Sequence, residues 1–451
     1  MNDSKDLTQG SIAGKLFIFF LPIAAGTIFQ QLYNAVDGIV VGRFVGTQAL
    51  AAVGGSPAVI INLIVGFFTA LSAGFAVIVS QLFGAKRNED ISKAIGTAII
   101  FSLIIGLILS VVCILLVPDF LEWMGTPEET MADAILYLRI YFCGMIFITV
   151  LNMESAILRA VGDSKHPFMY MIISCLVNIF LDFTFVVSFG WGVAGVAIAT
   201  VIAQLVNMLL LTFQMTLTPS LCKFTLKDLR IDFDFLYKML KIGVPTGLQS
   251  SMYGISNLFL QVGVNSLGTV IVASWAMSGK TDGFFWAITG AAGSAITTFT
   301  GQNYGAWKID RIKRSIKVSM VLFTAITVLT SAVLLVFGKP MLHILTKDQA
   351  VVDTTYLIMS YLVPMYFTWT VIEVFSGVLR GIGDSVNPVI ITGIGICLFR
   401  MLWLAIVFRI WPTLPALCLC YPASWIVTDI ALVWYFYNKS MMAEHYKKPA
   451  K

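Results

Sequence analysis

The chain has 451 residues, of which 58% are hydrophobic and only 12% are charged. Its mean hydropathy is +0.89 and its formal net charge is +5. A soluble domain carries about 25% charged residues, so this composition excludes a soluble protein. It is typical of a polytopic membrane protein, and we interpret the positive charge as basic loops rather than a nucleic-acid surface.

Long apolar segments follow one another along the whole chain, and each can cross a bilayer core. Their length and continuity argue against the short alternating strands of a transmembrane barrel. We therefore predict an all-α protein with twelve transmembrane helices. The predicted helices are 13–42, 50–80, 93–117, 131–158, 167–188, 193–217, 236–265, 270–300, 315–337, 352–379, 388–410 and 415–438.

The chain repeats itself after half its length. Residues 158–167 read LRAVGDSKHP and residues 379–388 read LRGIGDSVNP, 221 residues later. The first helix of each half has its own correspondence, at an offset of 223, between Pro22 and Pro245. Paired halves of six helices are typical of a transporter that moves one half against the other.

Lysine and arginine concentrate in loops that fall on one side of the predicted helices, at 81–93, 218–241 and 305–317. The other side holds PDFLEWMGTPEETMAD, which is acidic and has no basic residue. The positive-inside rule therefore places both termini in the cytoplasm. We predict an N-lobe at 1–217, a cytoplasmic linker at 218–235, a C-lobe at 236–440 and a cytoplasmic tail at 441–451.

Several charged residues lie within predicted helices, although a charge at mid-bilayer costs about 3 kcal/mol on insertion scales. Such side chains must face the protein interior or a water-filled cavity, so each is a functional candidate. They are Asp37, Glu154, Asp182, Asp282, Glu373 and Asp429, joined by Lys280 and Arg400.

Asp37 and Asp182 are the strongest candidates. Gln30, Tyr33 and Asp37 share one face of the first helix, and Asn178 shares a face of the fifth helix with Asp182. Two carboxylates from different helices can hold a sodium ion, or share one proton if they are close. The alternative is that each carboxylate only makes a buried hydrogen bond that positions its helix.

The second half has no acid at the matching places, since Leu260 stands opposite Asp37. Its charged residues are Lys280 and Asp282 on the eighth helix and Glu373 on the tenth. Glu373 could form a structural ion pair with Lys280, or it could bind substrate, and the sequence leaves both open.

No motif of soluble-enzyme chemistry is present in the sequence: it has no Walker loop, no HExxH and no nucleophile elbow. The histidines (His166, His343 and His445) fall in predicted loops or the tail. We therefore predict neither an enzyme nor a bound cofactor, and an energy source other than ATP bound to this chain.

These residues resemble the multidrug and toxic compound extrusion (MATE) family. The resemblance rests on LPIAAGTIFQQLYNAVDGIVVGR, the SQLFGAKR and TGQNYGA helix ends and the two LRxxGDSxxP segments, and it covers about residues 10–440. It implies a V-shaped pair of six-helix lobes with a central cavity. It also implies export of organic compounds in exchange for protons or sodium ions.

The resemblance to the family's DinF-like bacterial branch also implies roles for particular residues. It implies a cation-coupling site in the N-lobe, with Pro22 as a hinge, and a C-lobe without a sodium site because SSMYGISNLFL has no acid. The coupling residues are Tyr33, Asp37, Asn178, Asp182 and Thr200. The implied cavity lining is Gln30, Asn152, Asn257, Lys280, Asp282 and Glu373.

The resemblance predicts a secondary antiporter in the bacterial cytoplasmic (inner) membrane. Its partners would be small, often cationic, organic substrates and the lipid bilayer, with no nucleic acid, and the chain would act as a monomer. No metal is expected beyond Na⁺ at Asp37 and Asp182. The alternative is a lipid-linked oligosaccharide flippase of the same superfamily, which the acidic residues of the first half disfavour.

Overall fold

The computed structural model describes residues 6–217, 229–346 and 348–444, and within these ranges all secondary structure is helical. The predicted linker before residue 229 and the predicted tail after residue 444 lie outside the described residues. The α-helices are α1 Ile12–Val40, α2 Thr47–Gly54, α3 Ser56–Gly84, α4 Asn88–Trp123, α5 Glu128–Cys143, α6 Met145–Ala160, α7 Lys165–Asp182, α8 Gly192–Leu217, α9 Phe233–Asn265, α10 Thr269–Gly305, α11 Ile309–Leu345, α12 Gln349–Leu362, α13 Tyr366–Gly381, α14 Val386–Thr392, α15 Phe399–Trp403 and α16 Leu414–Asn438.

Each of the twelve predicted helices coincides with a described helix or with a broken pair, but continuity was wrong in several places. The second breaks at Gly55, just before Pro57, and the tenth breaks at Val363–Met365, which contains Pro364. Proline lacks the N–H that a continuing helix requires. The fourth helix bends by 50° at Gly144, where a Cβ atom would lie 2.8 Å from Val201.

Two helices continue into π-helical turns at corresponding places in the two halves. α7 is followed by Phe183–Ser188, and α15 is followed by Leu404–Phe408. These turns begin 221 residues apart, which is the offset of the LRxxGDSxxP repeat. π-Helical turns are often found at functional sites, and here one follows Asp182 directly.

Nine helical stretches of the described chain are long and apolar enough to cross a membrane, and the bent pair α5–α6 makes a tenth. The two remaining long helices, α9 and α10, are diluted by polar side chains. α9 carries Lys238 and Lys241 near its start, whereas α10 carries Lys280 and Asp282 in its middle. Such residues lower the hydropathy of a helix that protein rather than lipid surrounds.

The chain forms two compact units. Unit 1 contains Leu21–Gly247, and unit 2 contains Leu7–Phe20 together with the chain from Leu248 onwards. The boundaries fall next to Pro22 in α1 and two residues after Pro245 in α9, so each helix is divided beside its internal proline. Pro22 does not interrupt α1.

Each exchanged segment is held by its own unit. In unit 2, the Leu7 N–H donates to Gln302 of α10 at 3.0 Å, and Lys308 donates to the Thr8 carbonyl at 2.8 Å. In unit 1, Phe235 and Met239 of α9 are buried in an apolar cluster with residues of α3, α4 and α6. The TGQNYGA helix end therefore anchors the segment that precedes α1.

The repeated LRxxGDSxxP segments form helix-starting turns. Asp163 accepts hydrogen bonds from the backbone N–H and the ring of His166, at 3.2 and 2.7 Å. Asp384 accepts from Asn387 at 2.9 Å and from the Tyr435 hydroxyl at 2.7 Å. The glycine before each aspartate has a positive φ, 86° and 94°, which glycine adopts without steric cost.

Candidate functional site

Unit 1 brings the two strongest candidate acids together. Asp37 lies in the last two turns of α1, and Asp182 is the last residue of α7 before its π-helical turn. The Asp37 carboxyl interacts directly with Asp182 and with the Tyr33 hydroxyl, and Tyr33 in turn interacts with Thr200 of α8. Four of the five predicted coupling residues are therefore in mutual contact.

The fifth, Asn178, lies one turn before Asp182 on the same face of α7. Both side chains are fully buried, with 0% exposure, and Thr200 is 7% exposed. One carboxyl oxygen of Asp37, both of Asp182 and both polar atoms of the Asn178 amide are buried without a hydrogen-bond partner.

This arrangement contains more acceptors than donors. The Thr200 hydroxyl already donates to the Val196 carbonyl at 3.0 Å. Two adjacent carboxylates repel each other in a poorly solvated site, and a shared proton or a small cation removes that repulsion. The chemistry of the site is thus that of reversible cation binding.

Tyr137 of α5 is a member of this site that the sequence reasoning missed. Its side chain is 7% exposed and lies close enough to Asp37 and Asp182 to interact electrostatically with both. A tyrosine within a predicted helix was the available signal, but its spacing to Asp37 and Asp182 is not local. Only the packing of α5 against α8 brings it there.

The other candidates in unit 1 lie apart from the acids. Gln30 is exposed on α1. Asn152 of α6 donates to the Ile148 carbonyl at 2.8 Å and accepts from Thr69 of α3 at 3.4 Å. The predicted lining role of both residues stays a prediction.

The candidates in unit 2 form separate groups rather than one site. Asp282 interacts with Ser278 and with the Tyr366 hydroxyl. Glu373 pairs with Arg380, seven residues along the same helix, at 3.6 Å, and also interacts with Trp369. The ion pair of Glu373 is therefore not with Lys280, whose side chain is exposed.

Asn257 has a partner that the sequence did not reveal. Its side-chain oxygen accepts from the guanidinium of Arg400 at 3.4 Å. Arg400 is 4% exposed, donates to Ser424 at 3.2 Å, and stacks on the Tyr421 ring at 4.1 Å. No carboxylate pairs with Arg400 among the residues that the structure describes.

Comparison with known proteins identifies the family. The MatE family model matches residues 22–184 and 245–406, once in each half. The chain belongs to the MATE family. The two matches begin 223 residues apart, as do the prolines of α1 and α9, so the family model itself follows the duplication.

The MATE relatives of the chain are bacterial transporters. It is 26% identical to the probable multidrug resistance protein YoeA of Bacillus subtilis, over 85% of this chain and 84% of that protein. It is 24% identical to the multidrug export protein MepA of Staphylococcus aureus, over 81% of each chain.

Solved structures agree on the fold. The chain matches a MATE transporter crystallised with MaL6 with a TM-score of 0.89 and 22% identity, over 96% of this chain and 98% of that one. It matches a transporter of the MOP superfamily from Pyrococcus furiosus with a TM-score of 0.91 and 22% identity, over the full length of both. The prediction of twelve transmembrane helices in two six-helix lobes is confirmed, and the protein is a multi-pass membrane transporter.

Proposed function

We propose that this MATE protein is a secondary antiporter that exports organic, often cationic, drugs or metabolites in exchange for H⁺ or Na⁺. The observation that carries the proposal is the buried pair Asp37–Asp182, whose oxygens lack donors. Their close approach would be unfavourable unless a cation joined them. A site that must gain and lose a cation is what coupling to an ion gradient requires.

The proposed cycle is alternating access. An organic substrate enters from the cytoplasm, and an external cation then binds at Asp37 and Asp182, which changes α1 and lowers the affinity for the substrate. Each charge that moves down the membrane potential supplies about 2.3 kcal/mol per 100 mV. Pro22 is placed to serve as the hinge of α1, because a proline leaves the carbonyl one turn earlier without its helical hydrogen bond.

We further propose that Asn178, Tyr33 and Thr200 complete the cation site. An amide and two hydroxyls supply neutral oxygens, which are suitable ligands for Na⁺ as well as hydrogen-bond partners for a protonated carboxyl. Gln30, Asn152, Asn257, Lys280, Asp282 and Glu373 are proposed to line the substrate path.

The orientation and assembly of the protein follow from the same proposal. The basic loops place both termini in the cytoplasm of a bacterium, with the helices in the inner membrane. We propose that one chain, with an N-lobe at 1–217 and a C-lobe at 236–440, suffices as a monomer. Printed names of the relatives speak for multidrug export, which supports small organic substrates here.

The test is efflux of ethidium from proteoliposomes, with a proton gradient and a sodium gradient imposed separately. Wild type should export the dye under one of the gradients, and Asp37→Asn should not. Asp429→Asn is the matched control, because Asp429 is another intramembrane acid with an unpartnered oxygen but lies outside the site.

Each result has a definite meaning. If Asp37→Asn exports as well as wild type does, Asp37 only positions its helix and the proposed site is wrong. If wild type moves no dye under either gradient, drug antiport is wrong and a flippase of lipid-linked oligosaccharides becomes the better hypothesis.

A further inference from the structure

A line of polar side chains runs along α7 from the cation site to the start of the helix. Its members are spaced four residues apart, so they lie on one face of the helix. They are Asp182, Asn178, Ser174, Tyr170 and His166. Sixteen residues of helix cover about 24 Å, which is most of a bilayer core.

α8 presents polar side chains to the same line. Ser174 donates to the Ala203 carbonyl at 2.6 Å, and the Tyr170 hydroxyl donates to Gln214 at 2.9 Å. Asn207 and Gln214 are 9% and 7% exposed. The polar face of α8 consists of Thr200, Gln204, Asn207 and Gln214, and together with the line on α7 we name it the α7–α8 seam.

Interhelical hydrogen bonding alone does not account for this seam. Polar groups that join membrane helices normally satisfy each other, because an unpaired group in the bilayer core costs several kcal/mol. Here the oxygens of Gln204 and Asn207, like both polar atoms of Asn178, are buried without a partner. Buried amides of this kind hold water.

Unit 2 supplies an internal comparison. At the offset of 221, the five α7 positions correspond to Trp403, Phe399, Gly395, Ile391 and Asn387. The register is secure because the π-helical turns begin at that same offset. Gly395 packs so tightly against Thr428 that a Cβ atom would overlap its hydroxyl oxygen. The corresponding face is therefore apolar and closely packed in the unit that lacks the acid pair.

The seam ends at a histidine that can exchange protons with solvent. The His166 side chain is 33% exposed, and its ring contacts Asp163 at 2.7 Å. Tyr170 is the other titratable group that faces it, with the two rings 6.0 Å apart. Lys165 and Asp163 are its charged neighbours in sequence. Histidine titrates near neutral pH, whereas Asn387 in the same place of unit 2 does not titrate.

We propose that the α7–α8 seam conducts protons between Asp182 and the loop before α7, with His166 as its terminal proton-exchanging group. The proposal rests on the proposed function and specifies the proton as the coupling ion. Each transfer breaks one O–H or N–H bond and forms another along the hydroxyls of Ser174 and Tyr170 and the water held by the amides. The proton leaves from the Asp182 carboxyl and arrives at the His166 ring, and no group is oxidised or reduced.

The test compares His166→Asn and Tyr170→Phe with wild type in proteoliposomes. His166→Asn introduces the residue that unit 2 uses to bond its own aspartate, so the turn is retained. Both variants should slow proton-driven ethidium efflux by about ten-fold or more, as expected when a proton-transfer group is lost. Equilibrium binding of ethidium should not change. Tyr435→Phe is the control, because it removes an interhelical hydroxyl bond near the corresponding turn of unit 2 and should leave the rate within about two-fold.

The outcomes separate the proposals. Wild-type rates in both variants overturn the seam, and so does a loss of ethidium binding that equals the loss of rate, because the seam would then only pack helices. Efflux by wild type under a sodium gradient alone overturns the seam and leaves cation antiport standing. If wild type is inactive under both gradients, the seam and the proposed function fail together.

Discussion

The two units use corresponding helices to build sites of opposite charge. In unit 1, α1 meets the end of α7 through Asp37 and Asp182. In unit 2, the corresponding α9 and α15 meet through Asn257 and Arg400. The place of Asp37 is taken by Leu260, which is 1% exposed and packed in an apolar cluster with Leu417 and Cys420.

Charge decides what each site can do. Two carboxylates without donors require a cation that comes and goes, whereas a guanidinium is permanently charged and already has its acceptors. Arg400 stacks on Tyr421, which corresponds to Thr200 of unit 1 at the offset of 221. Duplication of a scaffold therefore did not duplicate its chemistry, and only unit 1 is suited to respond to a cation gradient.

The largest effect is expected when unit 1 loses its acid pair. Asp182→Asn should reduce gradient-driven export by about 100-fold, because about 3 kcal/mol of interaction with the coupling cation disappears. The folded protein should persist, since the change removes a buried charge and not a packing group. Export rates in proteoliposomes and thermal melting of the purified protein measure the two effects. Export at the wild-type rate would place coupling elsewhere.

A second variant removes the cation of unit 2. Arg400→Met should lower the free energy of unfolding by about 1–3 kcal/mol, because Asn257 and Ser424 lose a buried donor. The cation dependence of export should not change, since the ion binds in unit 1. Melting temperature, together with export rates over a range of pH and sodium concentrations, tests this. A shifted ion dependence would show that unit 2 takes part in coupling.

The smallest effect is expected for the acid of α13. Glu373→Gln breaks a half-buried pair with Arg380 and leaves coupling untouched, so export should stay within about two-fold of wild type. Arg380→Lys, which preserves the charge, is the matched variant for the pair. A loss of export in Glu373→Gln as severe as that in Asp182→Asn would contradict the division of roles between the units.

Much of the fold could be predicted because membrane helices are encoded locally. An apolar run of about twenty residues has few alternatives to a helix when its backbone must be satisfied internally. The breaks at Gly144 and Val363–Met365 were not predicted, although Pro364 was a visible signal. Gly144 is required by the side chain of Val201 on another helix, and no sequence pattern near it reports that contact.

The candidate site was predictable for a similar reason and to a similar extent. Carboxylates in apolar runs are costly, so Asp37 and Asp182 stood out without any structure. The four-residue spacing of His166, Tyr170 and Ser174 was also present in the sequence. Its meaning was not, because a polar line on one helix acquires a role only when its partner on α8 is known.

The sequence by itself determined the membrane environment, the twelve helices, the duplicated halves and the acids that cannot face lipid. Each of these depends on hydropathy, on spacing along one helix or on identity between halves, all of which are local or periodic properties. Only the tertiary structure decided that Asp37 meets Asp182, that Glu373 pairs with Arg380 and that Arg400 lies buried beside Asn257. Those choices depend on which helices pack together and at which height, and packing is a property of the whole chain.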